Sequence, residues 1–371
     1  MIMQIKKLLA RTLGSCLVLG IASCRSGDVT AESAINTELE SIVIDETAGV
    51  KLADHSAAIA SVEAAEAFVR DHASELWGIV TSDTVNSEDG KSPVPFRINA
   101  IKRARLKARG SFEQMMTARL RDLLAAFKDG KTAGASPLDR YLLVEAKKVM
   151  APAGRADGIS DAEFRDILSA RGIGTPKFAD DCRALSLYFR IGFSEEKIFL
   201  AGNKVCLISI FSPAKFEFAK QLWAGSAASE TEQPKLQKTK CSLKGLKDPQ
   251  TMFGCSFATL DEKRMIVAFG QGGAKSSSKN SRSNAATKAR LEALGALKNA
   301  YADAAVSAEM AKYLKQLPRP TIDFDAISAE LEKRYTAMVL KGVKELASGE
   351  YRLKSGWIFS LKMYGWQPGS K

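Results

Sequence analysis

The chain has 371 residues, 46% of them hydrophobic and 26% charged, a composition of folded domains that excludes a mainly disordered or collagen-like polymer. Its 54 Lys and Arg against 42 Asp and Glu give a net charge of +12, and with only two histidines, His55 and His72, multi-histidine metal sites and histidine-rich catalysis are not expected. Lys6, Lys7 and Arg11 make a basic opening, and the apolar run 13–21 has the length of a signal-peptide core, short of the ~20 residues of a membrane span. No later run reaches that length.

The apolar run ends Ile21-Ala22-Ser23-Cys24, which resembles the bacterial lipobox, where small residues precede a cysteine that is acylated on sulfur before cleavage on its amino side. Leu13-Gly14-Ser15-Cys16 fits the same pattern but has almost no apolar core upstream, so Cys24 is the candidate for palmitate-type lipidation. An ordinary cleaved signal peptide and an uncleaved anchor are the alternatives. Loss of residues 1–23 removes three cations and no anions, lowering +12 to +9. Arg25 follows the cysteine, and by resemblance to lipoprotein sorting the absence of Asp there implies the outer membrane. Several acyl chains satisfy the two-signal requirement for stable anchoring, at ~0.8 kcal/mol per buried CH₂.

Residues 24–58 are polar and acidic and read as a tether. Residues 59–223 and 236–371 read as two modules, separated by a linker of low-complexity composition at 224–235. In the first module, helices are signalled near 62–75, at Ser136-Pro137 with Asp139 in the first turn, by the capping box Ser160-x-x-Glu163, and at 213–223. Strands are expected at 184–193, 197–201 and 205–212. In the second, 239–246 and 252–260 read as a hairpin around Asp248-Pro249, 264–270 as a strand, 325–346 as a helix, and 357–364 as a half-buried strand by its period-two alternation.

Two segments repeat. Arg97, Asn99, Ala100, Ala104, Arg105, Leu106, Ala108 and Gly110 match Arg282, Asn284, Ala285, Ala289, Arg290, Leu291, Ala293 and Gly295 without a gap. The alanines recur at helical spacing, a smooth stripe that lets a helix lie close to a sheet or another helix. The expected fold class is therefore α+β, two tandem, internally duplicated modules, each a small antiparallel sheet packed by long Ala-rich helices.

Four cysteines remain beyond the signal. Hairpin arithmetic centres Cys241 and Cys255 on Asp248, and Cys182 and Cys206 on Ser194, so disulfides 182–206 and 241–255 are expected in an exported chain. Buried free thiols are the main alternative; a zinc site is disfavoured without Cys-x-x-Cys or a nearby histidine. Arg97, Lys102, Arg103, Arg105, Lys107 and Arg109 crowd one helix and are candidate anion-binding residues, against the alternative of a solvated face neutralised by acidic neighbours. The glycines of Gly270-Gln-Gly-Gly lack the order of a phosphate-binding loop and read as a flexible strand-to-helix connection. Counting back from Gly158 as the sixth position of a calcium loop puts Ala153 and Arg155 at the first and third, where oxygen ligands are required, so a capped helix start is the better reading.

A lipobox followed by strand, glycine and a long helix with alanine on every turn resembles bacterial outer-membrane lipoproteins carrying uncharacterised domains. Gly270, Gly272 and the 282–308 helix carry that resemblance, with a second copy at 97–109. It implies a non-enzymatic interaction or assembly role in the cell envelope and transfers no catalytic residue; no cofactor or metal is expected. The partners expected are the membrane through the lipid anchor and an envelope protein complex, or an anionic glycan or lipid headgroup held by the basic helix. Nucleic acid is not expected.

Overall fold

Two helices of 36 residues each, Pro93–Lys128 and Lys279–Leu314, organise the fold. The computed structural model describes residues 42–44, 61–74, 76–88, 90–132, 134–152, 155, 159–224, 248–260, 263–316 and 323–368. The signal peptide, Cys24, Cys241, linker residues 225–235 and all of the tether except 42–44 lie outside them. In chain order the elements are β1 (Ile42–Ile44), α1 (Val62–Asp71), β2 (Trp77–Thr84), α2 (Pro93–Lys128), α3 (Pro137–Met150), α4 (Asp161–Ala170), α5 (Pro176–Phe189), β3 (Phe193–Ala201), β4 (Lys204–Phe211), α6 (Pro213–Ala224), β5 (Gly254–Leu260), β6 (Lys263–Ala274), α7 (Lys279–Leu314), α8 (Phe324–Ala337), β7 (Lys344–Leu353) and β8 (Ile358–Trp366).

The fold is α+β, with small antiparallel sheets packed by long helices. One sheet runs β2-β4-β3; the other runs β7-β8-β6-β5, with β1 added in parallel at its β7 edge. Both segments share an order: a strand, a 36-residue helix, a later helix, then a hairpin whose second strand sits centrally and pairs with the first strand. Each hairpin carries an irregularity near its start, between Glu195 and Lys197 in one and between Glu345 and Ala347 in the other.

Packing at the second sheet explains the small residues. Gly270 and Gly272 lie within β6, not in a loop, and face the helix α7 alanines. A Cβ on Gly270 would sit 2.0 Å from the Ala289 carbonyl oxygen, and one on Gly272 2.0 Å from that of Ala285. Two strand residues advance ~6.6 Å and four helix residues ~6.0 Å, so glycines two apart keep step with alanines four apart. The connection proper is the serine-rich 275–278, where Ser278 caps α7 by accepting from Ser281 N.

In α2 the buried positions run Ala100, Ala104, Ala108, Phe112, Met116, Leu120, Leu124. Each four-residue step overshoots a full turn by about 40°, so this stripe winds around the helix and meets different partners along its length. Val94, Ile98 and Ile101 pack with Phe359, Leu361 and Met363 of β8, whereas Phe112 to Phe127 join the core of α3, α4 and α5. Helix α7 does the converse: Ala293 and Leu297 serve the second sheet, and Val306, Met310 and Leu314 enter the core of the first segment. Hydrophobic clusters are thus shared between 59–223 and 236–371.

Several local expectations are corrected. Residues 184–189 belong to helix α5, buried on every side at Ala184, Leu185, Ser186, Leu187 and Phe189, and not to a strand. The strand at 254–260 pairs with β6 and is the edge of its sheet among the described residues; residues 239–247, the other arm of the expected hairpin, lie outside them. Strand β8 is buried on both faces, Phe359, Leu361 and Met363 against α2 and Tyr364 and Trp366 against α7. Helix α8 ends at Ala337, and β7 begins at Lys344. The capping box Ser160/Glu163 and the Ser136 cap form as expected.

Candidate functional site

At 100° per residue, the six cations of α2 cannot share one face. Arg97 points into the fold, where it is buried, donates to Gln271 Oε1 at 2.9 Å and Gln250 Oε1 at 3.3 Å, and lies over the Phe359 ring. Arg103 and Lys107 share a second side and meet on Asp83: Arg103 donates from Nε and Nη2 to one carboxylate oxygen at 3.0 and 2.8 Å, and Lys107 Nζ lies 2.7 Å from the other. The Arg103 hydrogen bonds hold the Asp83 carboxyl below its ordinary value. Lys102, Arg105 and Arg109 occupy the third side, facing α7. Lys102 pairs with Glu292 at 2.7 Å, Arg105 with Glu195 at 2.5 Å, and Arg109 with Asp303. The six cations are therefore spread over three sides with partners within the chain, and the side chains of Lys102, Arg103 and Lys107 stay exposed beside theirs.

That third side lines a cavity of ≈ 460 Å³ between α2 and α7. Its helical walls carry Lys102, Arg105, Leu106 and Arg109 on one side and Glu292, Gly295, Asn299 and Asp303 on the other. Arg190, from the single 3₁₀ turn between α5 and β3, closes one end. Its side chain is 8% exposed, with Nη2 2.9 Å from the Asp303 carboxylate that also holds Arg109. Phe193, Phe253, Phe257 and Trp223 supply the apolar lining. The repeat thus places matched segments of two long helices on opposite walls of one cavity.

The cysteines divide differently from expectation. Cys182 and Cys206 are free and do not form the expected disulfide. On β4, Leu207 and Phe211 face the core of α5, and the intervening Cys206, Ile208 and Ile210 face α1. Cys182 lies on α5 in the first of those cores, so the sheet separates the two sulfurs, and a disulfide needs Cα atoms within about 7 Å. Cys255 lines the cavity as a free thiol; its expected partner, Cys241, is outside the described residues. Burial pushes the Cys182 and Cys255 thiols up to about 12, which keeps them protonated and poor nucleophiles at neutral pH.

Sequence reasoning missed two arginines. Arg190 was hidden in an apolar run read as a strand, although a cation in such a run needs a buried partner. Arg171, fully buried, pairs with Asp181 at 3.2 Å and donates to the carbonyls of Met150 and Leu314, tying the ends of α3 and α7 together. Asp248, buried beside Arg97, has its carboxyl pushed up to about 6 by burial. Among the described residues, no group of three or more His, Cys, Asp or Glu is placed to hold a metal ion, and no helix is long and apolar enough to cross a membrane.

No protein-family model matches the chain, and no curated protein matches it. A 2.3 Å crystal structure of a hypothetical protein, FTT1539c, from Francisella tularensis is similar over 89% of this chain and 96% of its own, at 14% identity and a TM-score of 0.48.

Proposed function

We propose that this chain is a lipid-anchored protein of the bacterial cell envelope, attached through Cys24 to the outer membrane, whose body acts as a non-enzymatic interaction or assembly module. The lipobox Ile21-Ala22-Ser23-Cys24 supports the anchor. Strand β1 limits how far the body stands from it: eighteen residue steps separate Cys24 from Ile42, which pairs with Tyr351, so the second sheet lies within about 60 Å of the acylated cysteine.

One observation favours a protein partner over a surface polyanion. Arg97, Lys102, Arg103, Arg105, Lys107 and Arg109, the cations that a glycan or lipid headgroup would need, are each engaged by a carboxylate or by buried amides. A polyanion would have to displace those pairs and leave Asp83, Glu195 and Glu292 without their cations. The test is purification of the lipidated full chain from detergent-solubilised envelopes across a salt series. Protein retained at 1 M salt supports this reading, because exposed charge contacts are screened within about 3 Å there. Release of bound glycan or lipid by salt, with no protein retained, contradicts it.

A further inference from the structure

We propose that the loop between α8 and β7 is a membrane contact, with Val339 entering the interfacial layer of an anionic phospholipid bilayer and Lys341 and Lys344 meeting its headgroup phosphates. Val339 is 82% exposed, the most exposed large apolar side chain among the described residues. Residues 333–344 carry Lys333, Arg334, Lys341 and Lys344, all exposed, and no carboxylate. Glu330 and Glu332 precede them on α8, and Glu345, which follows, is engaged by Lys362 and Tyr364. An apolar tip beside cations matches the two parts of a bilayer surface, and each Lys or Arg near an anionic leaflet strengthens attachment about fivefold.

The loop is fastened to the body. Leu340 and Val343 pack on the cluster of Tyr364 and Trp366, Trp366 Nε1 donates to the Lys341 carbonyl at 2.9 Å, and Gly342 turns the chain at a φ of 74°. Binding therefore orders little new chain. The loop also lies at the end of the sheet from which the chain enters β1: that strand runs parallel to β7 with Ile42 opposite Tyr351, and Lys344, the first residue of β7, is seven residues before Tyr351, about 23 Å. The eighteen residue steps between Cys24 and Ile42 reach about 60 Å, enough for an acyl anchor and the loop to meet one bilayer.

This surface rests on the proposed envelope location, and the test keeps the two apart by using the mature chain carrying Cys24→Ser: with no acyl chains present, its attachment to vesicles stands or falls independently of palmitate on Cys24. In co-sedimentation it should bind vesicles of equal parts phosphatidylglycerol and phosphatidylcholine, and vesicles of phosphatidylcholine alone at least tenfold more weakly. Val339→Asp should weaken attachment at least tenfold and Val339→Trp should strengthen it, both with the parent's thermal unfolding because the side chain is exposed. Lys341→Gln combined with Lys344→Gln should also cost at least tenfold, from two cations at about fivefold each. Lys131→Gln, which removes an exposed cation from the turn after α2, should bind as the parent does. Absence of vesicle binding, unchanged binding in Val339→Asp or in the double variant, or an equal loss in Lys131→Gln overturns the proposal. So does loss of a retained protein in Val339→Asp when the parent ignores vesicles, which would make the loop a protein-docking site.

Discussion

Replacing Gly270 by alanine tests the sheet-helix contact on which the second segment depends. The added Cβ would lie 2.0 Å from the carbonyl oxygen of Ala289 and 2.4 Å from the amide nitrogen of Ala293. Both atoms are helix backbone, so no rotamer change relieves the overlap. Reaching ordinary contact at 3.4 Å requires α7 to retreat by about 1.4 Å, and a gap of even 0.5–1 Å forfeits roughly a quarter to a half of each dispersion contact it opens. Overpacking of this kind costs about 1–3 kcal/mol, and the rigid backbone on both sides places Gly270→Ala at the upper end, about 3 kcal/mol. At about 2 °C per kcal/mol for a large chain, Tm falls by about 6 °C. A compensating Ala289→Gly should not rescue the loss, because the obstructing atom is the carbonyl. The control is Gly295→Ala on α7, where the new Cβ meets nothing and helix propensity alone should stabilise by up to about 1 kcal/mol. Urea unfolding of both variants measures the contrast; equal stability in the two would refute the close-contact argument.

Arg171→Met leaves Asp181 buried and takes the donor from the Leu314 and Met150 carbonyls, so it should cost about 3–5 kcal/mol in urea unfolding; a loss under 1 kcal/mol would contradict the role of this buried pair. Asp248, with its carboxyl raised from 3.8 to about 6, contributes stability that is fully present below its unfolded value and lost as pH rises through about 6. Asp248→Asn should therefore match the parent at pH 3.5 and exceed it above pH 6.5, by an order of 3 kcal/mol for the full displacement; parallel pH-stability curves would refute this. Cys182 and Cys206 should resist iodoacetamide in the folded protein and both be alkylated after denaturation without reductant, as read by peptide mass spectrometry. Recovery of a 182–206 linked peptide would contradict the separation of the two sulfurs by the sheet.

The elements legible from sequence were those with a local, periodic cause. Alanine at every fourth position in 100–108 and 285–293 marked buried helix faces, and the caps at Ser136 and Ser160 follow from hydroxyl chemistry alone. Failures have equally physical causes. The C-terminal stretch of helix α5, Ala184 to Leu187 and Phe189, is buried around the helix, so it lacks the polar face that distinguishes a helix from a strand in an apolar run. Strand β2, with Ile79 alone buried among its eight residues, is too polar to announce itself. The disulfide arithmetic assumed a turn at Ser194, whereas the chain turns at Gly202 and Asn203 between β3 and β4. The basic helix was visible as composition, but its partners Asp83, Glu195, Glu292 and Asp303 are 20 to 194 residues away, a separation that only tertiary structure closes. Arg190 and Trp223 join the cavity for the same reason.

The most direct test of the envelope assignment is metabolic acyl labelling of the full chain in a lipoprotein-processing bacterium, comparing the parent with Cys24→Ser. The account predicts radiolabelled palmitate in the outer-membrane fraction of the parent and none in the variant. Undiminished labelling of Cys24→Ser, or an unlabelled parent, would contradict it.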